Sequence, residues 1–81
     1  MTISLENLEG GTEFSIGSRK FKKGASSWGM PTAERLRSNQ SFFSEDSVNH
    51  ACHECYPYFG GQYQTNITIW VPTNTQIPVT F

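Results

Sequence analysis

His50, Cys52, His53 and Cys55 lie within the run His50-Ala51-Cys52-His53-Glu54-Cys55, and the chain has no other histidine or cysteine. Imidazoles and thiolates bind soft metals, move protons and exchange disulfides, so any reactive centre is expected here. As a metal half-site, Cys52-His53-Glu54-Cys55 would need further ligands to close a tetrahedral zinc shell. There is no second C-x-x-C, and so short a run does not readily wrap four side chains around one ion. As a redox pair, C-x-x-C works at a helix N-terminus, where the dipole lowers the thiol pKa. Here the pair falls at the end of an expected helix, and the βαβ context of a thioredoxin is missing. A His50–Glu54 patch could do acid–base work, but no nucleophile or oxyanion feature accompanies it. P-loop, G-x-G-x-x-G, H-E-x-x-H and nucleophile-elbow patterns are also absent. The expectation is no enzyme and no cofactor, with zinc at His50, Cys52, His53 and Cys55 or a thiol site as the alternative.

The second constellation is charge. All six basic residues, Arg19, Lys20, Lys22, Lys23, Arg35 and Arg37, lie in residues 19–37, where Glu34 is the only acid; the chain as a whole carries −1. A basic region in a nearly neutral chain suits an acidic protein surface, nucleic acid or a phosphorylated ligand. The competing reading is a solvated edge strand that uses lysine to discourage pairing. Trp28 sits in the loop-like run Gly24–Thr32 and could anchor a partner or fold back over the core. Lys22-Lys23-Gly24-Ala25-Ser26-Ser27 also has the ingredients of an anion nest.

These residues must be positioned by one small domain of 81 residues, whose stability margin is thin. Glu13–Ile16 and Arg19–Lys23 read as strands joined by Gly17-Ser18 in a type II′ hairpin, with Phe14 opposite Phe21 and Ile16 opposite Arg19. Thr32–Arg37 suits a helical turn begun by Pro31. Ser44 reads as an N-cap followed by Glu45 and Asp46, and Val48, Ala51, Cys52 and Cys55 form an i, i+3, i+4, i+7 stripe. That predicts a short helix stopped by Pro57 and Gly60-Gly61, with the cysteines buried as small hydrophobes and His50, His53 and Glu54 on the wetter face. Asn66–Val71 and Gln76–Phe81 read as a C-terminal hairpin turning at 72–75, with Pro78 marking an edge strand. Trp70 is either the floor of a second packing layer or an exposed contact. The fold class is α+β: an antiparallel sheet from N- and C-terminal hairpins with one helix packed on it. The start of the chain lacks a basic region followed by an apolar run, and no apolar stretch nears the roughly 18 residues of a membrane span. A soluble, cytoplasmic protein with free thiols is expected.

Asn7-Leu8-Glu9-Gly10-Gly11-Thr12-Glu13-Phe14-Ser15-Ile16-Gly17-Ser18-Arg19-Lys20-Phe21-Lys22-Lys23 resembles the opening of small phage-encoded accessory proteins, which share a leucine, a glycine and a hairpin of the form F-x-x-G-x-x-x-F-x-K. The resemblance implies a mobile-element origin, where non-enzymatic binders that block host defence or redirect host machinery are common. It implies the host cytoplasm as location and carries over no functional residue. The leading expectation is therefore a non-catalytic protein that inhibits or modulates a host macromolecule, most simply a host protein. Its surface would be Arg19, Lys20, Lys22, Lys23, Trp28, Arg35 and Arg37. The alternative is nucleic-acid or nucleotide-signal binding through the same segment.

Overall fold

A computed structural model describes residues 1–79, with the side chains of Ser26 and Ser27 left out. The strands are β1 (Thr2–Ser4), β2 (Glu13–Ile16), β3 (Arg19–Gly29), β4 (Gln40–Phe42), β5 (Cys52–Phe59), β6 (Gln62–Tyr63), β7 (Thr68–Pro72) and β8 (Gln76–Pro78). Single 3-10 turns stand at Leu5–Asn7 and Glu45–Ser47. The larger sheet runs β2-β3-β5-β7-β4, with β6 also on β5, and β1 pairs with β8 separately. Every pair is antiparallel except β4 with β7. The α+β class holds, with antiparallel strands carrying the fold and helical structure confined, among the described residues, to the two turns.

The N-terminal hairpin has the expected register. Phe14 pairs with Phe21 and Ile16 with Arg19. Gly17 alone supplies the positive φ, 61°, that a first-position turn glycine accepts without a Cβ clash. The two Phe rings stack at 5.6 Å, and Phe21 meets Phe43 edge-on at 5.8 Å. Around them Leu5, Cys55, Ile69, Val71 and Ile77 close the core between the large sheet and the β1–β8 pair.

The expected helix through Val48, Ala51, Cys52 and Cys55 is corrected. Ser44 does stand at a helix start, and Glu45 and Asp46 follow it, but the helix is the one turn Glu45–Ser47. From Cys52 the chain is strand β5. The reason is local and global at once. Cys, His, Tyr and Phe are weak helix formers, and Pro57 leaves too few residues for a helix that stands on its own. As a strand, the segment is paired on both edges, by β3 and β7. Val48 ends up exposed, and Cys52 and Cys55 no longer share a face.

The C-terminal strands differ in partner. The turn at 72–75 forms, with Thr75 N–H donating to the Pro72 carbonyl at 3.1 Å. But β7 has both edges taken, by β5 and β4, so β8 leaves the sheet and pairs with β1, Thr2 opposite Pro78. Pro78 thus sits on an edge strand, as a residue without an N–H requires. Phe81, expected on the face of Ile77 and Val79, lies outside the described residues.

The excursion from Met30 to His50 adds β4 to the edge of the sheet and packs Phe43 on Phe21 in this core, while its other segments lie on the opposite side of the sheet. It covers Trp70, beside which lie Met30, Pro31, Leu36 and Gln40, and buries Cys52. Trp70 is therefore the floor of a second packing layer.

Candidate functional site

Residues paired across a sheet share a face, and faces alternate along each strand. By register, Glu13, Lys20, Lys22, Glu54, Tyr56, Tyr58 and Tyr63 belong to the face away from the main core. Phe59-Gly60-Gly61-Gln62 builds part of it. Gly60 and Gly61 take φ of 65° and 84°, the double positive of a type I′ turn, and bring Tyr63 opposite Tyr58. Those rings meet edge-to-face at 4.9 Å. The Lys20 ammonium lies 5.3 Å from the Tyr58 centroid, and that of Lys22 lies 5.5 Å from Tyr63. The Tyr63 hydroxyl donates to the Glu13 carboxylate at 3.1 Å. Burial first, and then this carboxylate, pushes the Tyr63 phenol above its ordinary pKa, so it stays neutral at physiological pH. A connected tyrosine–lysine face thus spans β2, β3, β5 and β6.

The cations expected on one surface are dispersed. Lys20 and Lys22 share the tyrosine face. Arg19 points to the other side, its guanidinium 5.0 Å from the centroids of both Phe21 and Phe43. Lys23 is only 6% exposed, and its ammonium donates to the carbonyls of Leu5, at 2.9 Å, and Leu8. Those two acceptors are the first residue and the C-cap of the first 3-10 turn, so Lys23 ties that turn to the sheet and belongs to the core. Burial holds its pKa below the usual lysine value. Trp28 is 61% exposed and pairs with His53, which places it on the opposite face from Lys20. At about 3.3 Å per residue it lies roughly 25 Å along β3 from Lys20. Arg35 and Arg37 are exposed on the 30–40 excursion, Arg35 beside Trp70 and Met30.

The His/Cys cluster is split by its strand. Cys55 and His53 face the side of Lys23, Ile69 and Val71, while Cys52 and Glu54 face that of Trp70. The Cys52 thiol approaches the Ser47 and His50 carbonyls at 3.4 and 3.2 Å, and the His50 ring pairs through Nδ1 with the Ala51 carbonyl at 2.9 Å. Four ligands on two faces cannot converge on one tetrahedral ion. Both thiols are free and buried. Burial pushes Cys55 up to about 12 and also raises Cys52, so neither supplies a thiolate near neutral pH.

Tyr56, Tyr58 and Tyr63 are the site residues that the sequence reading passed over. The available signal was Gly60-Gly61 between aromatic residues, a hairpin turn read as a helix stop. No family model, curated protein or solved structure matches this chain.

Proposed function

We propose that the protein is a small non-catalytic binder whose contact surface is the tyrosine–lysine face of β3, β5 and β6, and whose partner is an acidic surface of a host protein. The observation that carries this reading is the ring–cation cluster of Lys20, Tyr58, Tyr63 and Lys22. Tyrosine offers large contact area at low entropic cost and is enriched among residues that dominate binding energy. Lysine ammoniums on the same face add steering toward acidic partners. The resemblance of residues 7–23 to phage accessory proteins supports a partner in a host cell. Single-stranded nucleic acid is the second reading, favoured by the same interleaving of rings and cations.

The test is capture of the bound species from extract of the source cell by the immobilised protein, followed by affinity measurement at two salt concentrations. Lys20→Glu with Lys22→Glu should weaken capture at least about tenfold, the factor that about 1.4 kcal/mol provides, with thermal stability retained. A protein partner should show a shallow salt dependence, and nucleic acid a steep one. Undiminished capture by the double variant would remove the face from consideration.

A further inference from the structure

Where the 30–40 excursion passes over Trp70 it leaves a cavity of about 180 Å³. Met30, Pro31 and Leu36 give it apolar walls, and Arg35, Gln40 and the Trp70 ring complete the lining. Strand register accounts for part of this grouping. Gln40 and Phe42 of β4 run parallel to Thr68 and Trp70 of β7, so Gln40 and Trp70 project from the same face of the sheet.

Trp70 is the informative member. Its indole N–H is buried and, among the described residues, has no hydrogen-bond partner. A Cβ on Gly29 would meet the ring at Cη2 and Cζ3, 3.6 and 3.7 Å away, so the benzo edge lies toward β3 and the pyrrole edge with Nε1 is turned away from it. The strand order puts β4, and so Gln40, on the other side of β7 from β3. A buried donor left unpaired carries its full desolvation cost, which an acceptor entering the cavity would recover. The other polar groups here are donors too. The Gln40 Oε1 accepts the Arg37 N–H at 3.2 Å, which leaves Nε2 to donate. Arg35 lines the cavity from an exposed position, and among the described residues nothing accepts a hydrogen bond from its guanidinium. No acidic side chain of the described residues joins the lining; Glu54, opposite Trp70 on β5, is not part of it.

Apolar walls with donors alone call for an apolar body that ends in an acceptor, and a guanidinium among the donors selects an anionic one. The volume is close to the roughly 150 Å³ of an apolar cavity that takes a single benzene ring. We infer that this cavity binds a small apolar carboxylate, one ring or a short branched chain in size, with its body against Met30, Leu36 and the Trp70 ring and its carboxylate on Trp70 Nε1, Gln40 Nε2 and Arg35. No residue of the tyrosine–lysine face takes part, so the inference stands apart from what that face binds.

The experiment is titration of the intact, nitrogen-labelled chain with benzoate and isovalerate, followed by magnetic resonance of the indole N–H groups of Trp28 and Trp70, with benzamide and acetate as comparison probes. Trp70→Phe identifies the Trp70 resonance by removing it, and Trp28, exposed and outside the cavity, is the internal control. At least one of the two carboxylates should shift the Trp70 resonance saturably, with a Kd below about 1 mM, and leave that of Trp28 in place. Acetate, without the apolar body, and benzamide, without the charge, should each bind at least about fivefold more weakly. Arg35→Gln, at an exposed position, should weaken binding about tenfold. Trp70→Phe, followed by calorimetry, should weaken it at least about threefold, with a thermal melt checking that the smaller ring has not unfolded the chain. Lys20→Glu with Lys22→Glu should stay within about twofold, and that variant separates failure of the cavity from failure of the face. Absence of a saturable shift, equal movement of both indole resonances, benzamide binding as tightly as benzoate, or indifference to both Arg35→Gln and Trp70→Phe would each overturn the inference.

Discussion

Lys23 and Cys55 are cross-strand neighbours in the core, and their ionisations pull stability in opposite directions. The Cys55 thiol is pushed from 9.0 up to about 12, chiefly by burial. Above pH 9 the unfolded chain therefore gives up a proton that the folded chain keeps. The stability tied to this thiol is intact below pH 9 and is lost as pH rises from 9 toward 12. Cys52 acts in the same direction. Lys23 acts in the other: burial lowers its pKa, so the folded chain loses that proton first and gains relative stability as pH approaches 10.5. The large Cys55 shift should dominate. Urea midpoints should fall steadily above pH 9, and Cys55→Ala, less stable at neutral pH, should show a flatter profile. An identical alkaline slope in that variant would mean that the loss comes from elsewhere.

At the scale of elements, the close approach of β3 to β5 is set by small residues where their register shifts, between Lys23 and Trp28. A Cβ on Gly24 would come within 2.8 Å of the Glu54 carbonyl oxygen, which is backbone and cannot swing aside. Gly24→Ala should therefore force the strands apart at a cost of about 1–3 kcal/mol, lowering the melting temperature by at least about 5 °C. Gly29 is the contrast. A Cβ there would meet only the Trp70 ring, at 3.6 and 3.7 Å, which is ordinary contact. Gly29→Ala should be neutral or slightly stabilising, since it also reduces unfolded-chain entropy. Paired thermal melts check both outcomes, and equal effects would place the constraint outside the β3–β5 contact. Element type was legible where turn chemistry was strong, as at Gly17-Ser18. It was misread at residues 48–55, running into β5, where four small or apolar residues happened to fall at helical spacing. Periodicity over so few residues does not separate a helix from a strand paired on both edges.

The whole molecule is closed by its terminal strands. Leu5 and Ile77, both fully buried, come from opposite ends of the chain and complete the core that Phe14 and Phe21 begin. Removing residues 1–4 should strip β8 of its partner, expose Ile77 and abolish cooperative thermal unfolding, because so small a domain has little stability to spare. A circular-dichroism melt that stays sharp and within about 5 °C of the parent would show that β8 covers the core unaided. The sequence by itself determined what is decided within about ten residues: the β2–β3 register and the helical turn begun at Ser44. Only the tertiary structure decided the strand partners. The pairing of β8 with β1 and of β4 with β7 follows from competition for sheet edges between segments far apart in the chain. No local pattern records that competition. The candidate site divides in the same way: its lysines were visible as charge, but they became part of a surface only when β5 and β6 brought three tyrosines beside them.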